Sequence, residues 1–272
     1  KEAATHGVST MVLTDVNSTA GCMTFIRKAS DFNITPLIGI DFRKGAQPLF
    51  VGIARNTEGF RELNAHLSNY LHQHVASPPV APNFQNAWVI YPYALYDGHA
   101  LRDHEFIGVS VADLTKFRFS PWPHQLHKVV INQTVSFRNK RDFNAHRLMR
   151  AIDNNTLLSK LSKTEEGLPS DTMYTVAELK QFFGEYPSVI RNTEHLLNEC
   201  DVCFDFTEPV APKNLKTYTG TEASDLELVK KQCEEGIRYR YGRSTKIIRT
   251  RLNTELDVIQ KMGFLSYFLI NW

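Results

Sequence analysis

The first half of the chain alternates short, continuously apolar runs with amphipathic segments of helical period. Strands are predicted at 9–15, 35–42 and 48–55, and helices at 20–32 and 58–71. The strand runs are apolar at successive positions rather than at every second one, which is typical of strands covered on both faces. The pattern therefore predicts an α/β fold built on a parallel sheet or a β/α barrel.

Three further strands are predicted at 87–93, 106–111 and 128–133. Beyond these the pattern becomes helical, with segments predicted at 140–153, 175–183, 187–200, 224–241 and 246–261. The proline-containing stretch TEPVAPKNLKTYTG, at 207–220, predicts an extended linker. We expect four of the strands to be parallel neighbours in one sheet. These strands end near Asp15, Asp41, Ala54 and Asn132.

The composition fits a folded domain in the cytoplasm. Hydrophobic residues make up 42% of the 272 residues, which is enough for a substantial core. The formal net charge of +2 does not by itself indicate a nucleic-acid-binding protein. No apolar run approaches the length of a membrane span, and the first residues lack the apolar core of a signal peptide, so we expect a cytoplasmic protein.

Four cysteines are present, and only Cys200 and Cys203 form a C-x-x-C pair. A structural zinc site of this type needs a second pair, which the sequence lacks. We therefore interpret these residues as reduced thiols near a helix end and expect no metal there.

Several segments resemble, in the same order, the alpha subunit of bacterial DNA polymerase III, a replicative polymerase of family C. At 249–272 the chain reads RTRLNTELDVIQKMGFLSYFLINW, which is similar to the family's segment ERL-x-x-EL-x-VI followed by MGF-x-GYFLIV. EEGIRYRYG, YTVAELKQFF and YPSVIRNTEHLLNECDV match upstream. VLTDVNSTAG, ITPLIGIDF and GIARNTEGFRELN resemble the family's amino-terminal PHP (polymerase and histidinol phosphatase) domain. The resemblance covers most of the chain except about 75–128.

The resemblance implies a distorted seven-stranded β/α barrel, the PHP fold, for residues 1–206. Its first strand, which carries an H-x-H motif in the family, would lie before Lys1. Residues 207–272 would be a linker and the amino-terminal part of the polymerase palm, in a mainly helical segment. We expect further palm sequence to bury the apolar run from Met262 to Trp272.

The positions of the family's metal ligands are changed in this sequence. Active PHP sites hold metal ions with His, Asp and Glu side chains and activate water against a phosphate ester. Here the family's T-D-H becomes Thr14-Asp15-Val16, and its G-x-E-F becomes Gly39-Ile40-Asp41-Phe42. We therefore predict a vestigial site, with no metal and no catalytic residue in this chain, at these positions: Asp15, Val16, Asp41, Leu49 (or Pro48), Thr134 and Ser136.

A basic cluster near the carboxyl end has two interpretations. Its side chains could contact the phosphates of DNA or the incoming nucleotide of a polymerase. They could instead form a solvated helix face paired with the nearby Glu234, Glu235 and Glu255, which we favour. The cluster consists of Arg238, Arg240, Arg243, Lys246, Arg249 and Arg251.

The resemblance implies a parent chain that extends a DNA primer from dNTPs by two-metal catalysis with Mg²⁺, on palm aspartates beyond Trp272. The implied partners are the remainder of the alpha subunit, DNA and dNTP, the proofreading exonuclease subunit and the sliding clamp, with no membrane. We interpret this chain as a catalytically inactive structural or docking platform. One alternative is a metal-dependent PHP phosphoesterase or proofreading 3′–5′ exonuclease, which requires bound metal. Another is a pure interaction module with a large apolar contact surface.

Overall fold

The computed structural model describes residues 1–73, 75, 77–204, 206 and 217–272. The chain forms two compact units, Lys1–Asp205 and Phe206–Trp272. Most of the predicted linker, 207–216, lies outside the described residues. The assignment of residues 1–206 to a PHP domain and of 207–272 to a linker and the start of a palm stays a prediction.

The first unit is an α/β structure, as the alternating pattern predicts. Its sheet has six strands in the order β1-β2-β3-β4-β5-β6, each overlapping one of the predicted runs. The strands are β1 (Thr10–Val16), β2 (Thr35–Lys44), β3 (Gln47–Ala54), β4 (Ala87–Pro92), β5 (Glu105–Val109) and β6 (Val129–Ile131).

The sheet is mixed, so the expectation of parallel neighbours is wrong in part. β1/β2, β4/β5 and β5/β6 are parallel pairs, whereas β3 is antiparallel to both β2 and β4. β6, which ends before Asn132, is not a neighbour of β3. Only Gly45 and Ala46 separate β2 from β3, and Gly45 has a φ of 61°. Such a short connection makes a hairpin, because a parallel pair needs a crossover of a dozen or more residues.

Side chains alternate between two covered faces of the sheet. On one face Ile38, Ile40 and Phe42 pack with Leu63 and Leu67 of a long helix. We call this the α3 face, after helix α3 (Thr57–Gln73), and helix α2 (Cys22–Ala29) also packs there.

The opposite face is covered by helix α7 (Pro187–Asn198), and we call it the α7 face. Its sheet residues are Leu37, Ile53, Ile90 and Val130, which pack with Leu196. The two covered faces explain why the strands are apolar at successive positions.

The remaining helices of the first unit are α1 (Glu2–Thr5), α4 (Leu114–Arg118), α5 (Lys140–Asp153) and α6 (Val176–Phe182). Two details differ from the sequence pattern. α3 begins at Thr57, but its cap is Asn56, whose Oδ1 accepts the Gly59 N–H at 2.9 Å. In α5 the apolar side chains of Leu148 and Ile152 are exposed, and the buried residue of this helix is Ala151.

The second unit contains three helices among its described residues: α8 (Glu222–Tyr241), α9 (Lys246–Lys261) and α10 (Leu265–Asn271). Val229 of α8 and Leu256 of α9 pack with Leu265 and Leu269 of α10. Among the helices of the described residues, none combines the length and the apolar character needed to cross a membrane.

Candidate functional site

A cavity of about 410 Å³ opens on the first unit at the ends of β1, β2 and β6. Its floor is apolar and includes Val12, Val51, Ile90 and Val130, which come from four different strands. Both β1 and β6, the two edges of the sheet, contribute to this single cavity, so the sheet curls around it. Polar and charged residues also line the cavity, among them Asp15, Asp41, Arg43, Thr134 and Ser136.

Asp15 acts as a local hydrogen-bond acceptor at the end of β1. Its Oδ2 accepts the N–H of Gly21 at 3.1 Å, immediately before α2 begins. A Cβ at Gly21 would lie 2.6 Å from the same oxygen, so a side chain at this position would displace the Asp15 carboxylate. Asp15 thus ties the β1–α2 connection to the strand end.

Asp41 is an almost buried carboxylate, 8% exposed, that pairs with Arg43 of the same strand. The Arg43 Nε and Nη2 atoms donate to Asp41 Oδ2 at 2.9 and 2.6 Å. The other oxygen, Oδ1, is buried without a hydrogen-bond partner among the described residues. Burial raises the pKa of Asp41, and the hydrogen bond and charge of Arg43 oppose this shift.

Asn17 fixes the backbone of Arg43 to the end of β1. The Asn17 side chain accepts the Arg43 N–H at 2.9 Å and donates to the Arg43 carbonyl at 2.9 Å. Its own N–H donates to the Asp41 carbonyl at 3.0 Å. Asn17 adopts a φ of 45°, a left-handed conformation that asparagine tolerates better than most residues. Arg43 is therefore positioned by Asn17, a residue outside its own strand.

The charge of Arg43 also acts to lower the pKa of two side chains in the segment after β6, Asp171 and His146. Burial raises the pKa of Asp171, and the Leu168 N–H and the Arg43 charge oppose that shift. Burial lowers the pKa of His146, with a smaller contribution from Arg43. The His146 Nε2 accepts the Gly167 N–H at 3.0 Å, so this histidine is already engaged.

The side chains of Asp15 and Asp41 project from opposite faces of the sheet. In the register of β1 and β2, Asp15 lies beside Ile40, whose side chain belongs to the α3 face, whereas Asp41 lies beside Val16. Each carboxylate is occupied separately, Asp15 by a backbone N–H and Asp41 by Arg43. The structure therefore does not join them in one ligand set.

The other predicted site positions are divided between the cavity and the core. Val16, Thr134 and Ser136 are exposed and border the cavity. Leu49 does not line it and packs instead against the core of the α3 face. The register between β2 and β3 shifts after Phe42, so Leu49 is the extra residue of a β-bulge. The bulge turns its side chain away from the cavity.

The donors present do not fit a centre of two or three metal ions. Within the described residues no three His, Cys, Asp or Glu side chains are grouped so as to hold a metal. Among the residues that line the cavity, Arg43 places a positively charged guanidinium where a metal ion would need a ligand. Thr134 and Ser136 contribute hydroxyl groups to the lining. Cys200 is buried and Cys203 exposed, and burial raises the pKa of Cys200 to about 12. The vestigial origin of the site positions stays a prediction.

Arg43 and Asn17 are the site residues that sequence reasoning missed. A signal for Arg43 was available, because residues two apart on a strand point to the same side and Arg43 follows Asp41 by two. The partnership of Asn17 with β2 depends on the parallel register of β1 and β2, which the sequence alone does not give.

The predicted basic cluster lies in the second unit, on α8, on α9 and in the turn between them. Arg249 pairs with Glu234 at 3.0 Å, and Arg251 pairs with Glu255. The other four basic residues are exposed and form no ion pair within the part of the chain that is described: Arg238, Arg240, Arg243 and Lys246.

Comparisons with known proteins identify relatives across the whole chain. The family model described as "Bacterial DNA polymerase III alpha NTPase domain" matches residues 227–272. The chain is 26% identical to DNA polymerase III subunit alpha of Halalkalibacterium halodurans, with 97% of the chain and 26% of the relative covered. It is 25% identical to the subunits of Vibrio cholerae and Bacillus subtilis, covering 99% and 100% of the chain and 27% of each relative.

The chain thus spans about a quarter of the length of the curated relatives that it matches. The family model matches a part of the second unit that includes the motif segment at 249–272. The resemblance of this chain to bacterial DNA polymerase III alpha subunits is therefore confirmed over almost its whole length.

Proposed function

We propose that this chain forms the PHP domain and the beginning of the palm of a bacterial DNA polymerase III alpha subunit that acts in DNA replication. One observation carries the proposal: alpha subunits from three organisms align with 97–100% of the chain. The alternation of strands and helices in the first unit and its cavity at the strand ends are consistent with a PHP fold. The seven-stranded barrel and the palm belong to this proposal.

In this proposal the whole subunit extends a DNA primer from dNTPs, and Mg²⁺ held by palm carboxylates supports the phosphoryl transfer. The partners would be the rest of the alpha subunit, DNA and dNTP, the proofreading exonuclease subunit and the sliding clamp. A full-length polypeptide that contains this chain should extend a primed template with dNTPs and Mg²⁺, and the 272-residue chain alone should not. Failure of the full-length polypeptide to extend would contradict the proposal.

We further propose that the cavity of the first unit is a structural platform rather than a hydrolytic centre. The Asp15 Oδ2 atom holds the β1–α2 connection and the Asp41 Oδ2 atom is paired with Arg43, so each carboxylate already has a structural role. Arg43 supplies the positive charge that a metal ion would otherwise bring to this carboxylate.

Metal analysis of the purified chain separates this role from a metal-dependent phosphoesterase or 3′–5′ exonuclease. We expect no stoichiometric zinc or manganese after dialysis, and no hydrolysis of a phosphate ester or of a single-stranded oligonucleotide with added Mn²⁺. Stoichiometric metal that is lost on Asp41→Ala, together with metal-dependent hydrolysis, would establish the enzymatic alternative.

A further inference from the structure

The turn between α8 and α9 presents an uninterrupted exposed surface. We call residues 238–247, which read RYRYGRSTKI, the α8–α9 turn. Every residue in it is exposed, and the Tyr239 and Tyr241 side chains are 91% and 60% exposed. The turn contains no aspartate or glutamate.

The charges of this turn are not neutralised by neighbouring acids. Arg238, Arg240, Arg243 and Lys246 form no ion pair among the described residues, unlike Arg249 and Arg251. Glu234 is occupied by Arg249, which donates to both of its oxygens at 3.0 and 3.3 Å. Glu235 is the remaining acid close by in sequence, so the surface keeps an excess of positive charge.

The ring of Tyr239 is directed away from the core of its unit. Ile237 is buried, and Tyr239 follows it by two residues, about 200° further around the helix. Tyr239 therefore stands on the outer side of α8. Gly242, with a φ of 67°, ends the helix, and the Arg243 N–H donates to the Tyr241 carbonyl at 2.7 Å. This hydrogen bond fixes the start of the turn, which leads from Tyr241 to Arg243 and Lys246.

We infer that the α8–α9 turn is a contact surface for single-stranded nucleic acid. Its cations would face phosphates, and the outward-facing ring of Tyr239 would stack on an unpaired base. Cations interleaved with exposed rings suit this ligand, because each nucleotide carries both a negative charge and a flat π-face. A duplex hides the base faces, and an anionic membrane would call for more apolar side chains than Ile247. The inference rests on the proposed function. It adds which surface of the chain contacts nucleic acid and that this nucleic acid is single-stranded.

The test is fluorescence anisotropy of a short labelled oligothymidylate titrated with the whole chain at low and moderate salt. Tyr239→Ala should weaken binding roughly five- to hundredfold through loss of one stacked base, and Tyr239→Phe should retain it. Arg240→Gln should weaken binding and reduce the slope of log affinity against log salt by about 0.7, as expected for one lost phosphate contact. Arg251→Gln is the matched control, since Arg251 is exposed but paired with Glu255, and its slope should not change.

Several results would overturn the inference. One is that the chain shows no measurable oligonucleotide binding, and another is that a duplex of the same length competes equally well. The inference would also be wrong if Arg251→Gln and Arg240→Gln lowered the affinity equally, or if Tyr239→Ala did not lower it. Tighter binding to anionic lipid vesicles than to the oligonucleotide would assign the surface to a membrane instead. Any of these outcomes leaves the polymerase role to be judged separately by primer extension with the full-length polypeptide.

Discussion

At the scale of single residues, Arg43 neutralises an almost buried carboxylate. Replacing it in Arg43→Met would leave both oxygens of Asp41 without a charged donor, in a position that is 8% exposed. We expect the free energy of unfolding to fall by about 1.5–3 kcal/mol, the range for losing a hydrogen bond to a charged group. Urea unfolding followed by circular dichroism measures this change.

The matched control for Arg43→Met is Arg61→Met, which removes an exposed arginine that pairs with the exposed Glu58. Its unfolding midpoint should stay at the wild-type value, because exposed ion pairs contribute little. The double variant Asp41→Asn/Arg43→Met should recover part of the loss, since it no longer holds an unpaired charge. Equal effects of Arg43→Met and Arg61→Met would contradict a role for Arg43 in the cavity.

The pH dependence of stability provides a second test at Asp41. Burial raises the pKa of this carboxyl above its ordinary value of 3.8, although Arg43 opposes the shift. A carboxyl with a higher pKa in the folded chain binds more protons when folded. Its contribution to stability is therefore greatest below the ordinary pKa and is lost as the pH rises through the folded pKa.

Urea titrations of wild type and Asp41→Asn across the acidic range measure this contribution. We expect the difference in unfolding free energy, wild type minus variant, to decrease as the pH rises from the ordinary to the raised pKa and then to level off. A difference that increases with pH would mean that Arg43 lowers the pKa of Asp41 more than burial raises it.

At the scale of elements, two glycines test how closely a helix lies to its neighbours. A Cβ at Gly59, in the first turn of α3, would lie 1.8 Å from the backbone oxygen of Asn86. Gly59→Ala should therefore displace α3 and cost about 1–3 kcal/mol. Gly236, within α8, has no atom within 4 Å of such a Cβ, and Gly236→Ala should stabilise the helix by about 0.5–1 kcal/mol. Thermal unfolding of the two variants should shift in opposite directions.

The elements also show what the sequence could and could not predict. All six strands were predicted, because short apolar runs between turn residues identify a strand without its partners. The direction of β3 was predicted wrongly as parallel, although the two-residue connection through Gly45 carried the information. In the cavity, family motifs identified Asp15 and Asp41. The placement of Leu49 depended on a β-bulge, and that of Asn17 depended on strand register, which are properties of the assembled sheet.

At the scale of the whole molecule, the segment from Met262 to Trp272, which contains α10, exposes large apolar side chains. Met262, Phe268 and Trp272 are exposed, whereas Leu265 and Leu269 of the same segment are buried in the second unit. The net charge of +2 gives only weak repulsion between copies. We therefore expect the sedimentation coefficient of the wild-type chain to increase with concentration.

The variant Phe268→Gln/Trp272→Gln removes part of this apolar surface and keeps Leu265 and Leu269, so it should sediment as a monomer at all concentrations. Ile247→Gln is the control, because this apolar side chain is more exposed than Phe268 or Trp272 but lies at the start of α9. A wild-type chain that stays monomeric at high concentration would contradict the expectation.

The order of the strands in the sheet is also their order along the chain. During translation each new strand therefore meets a hydrogen-bonding partner that the ribosome has already released. No strand has to wait for a later one, and none has to be inserted between two strands that are already paired. Each strand added becomes the edge on which the next one forms, so the sheet of this protein is suited to assembly in step with its own synthesis.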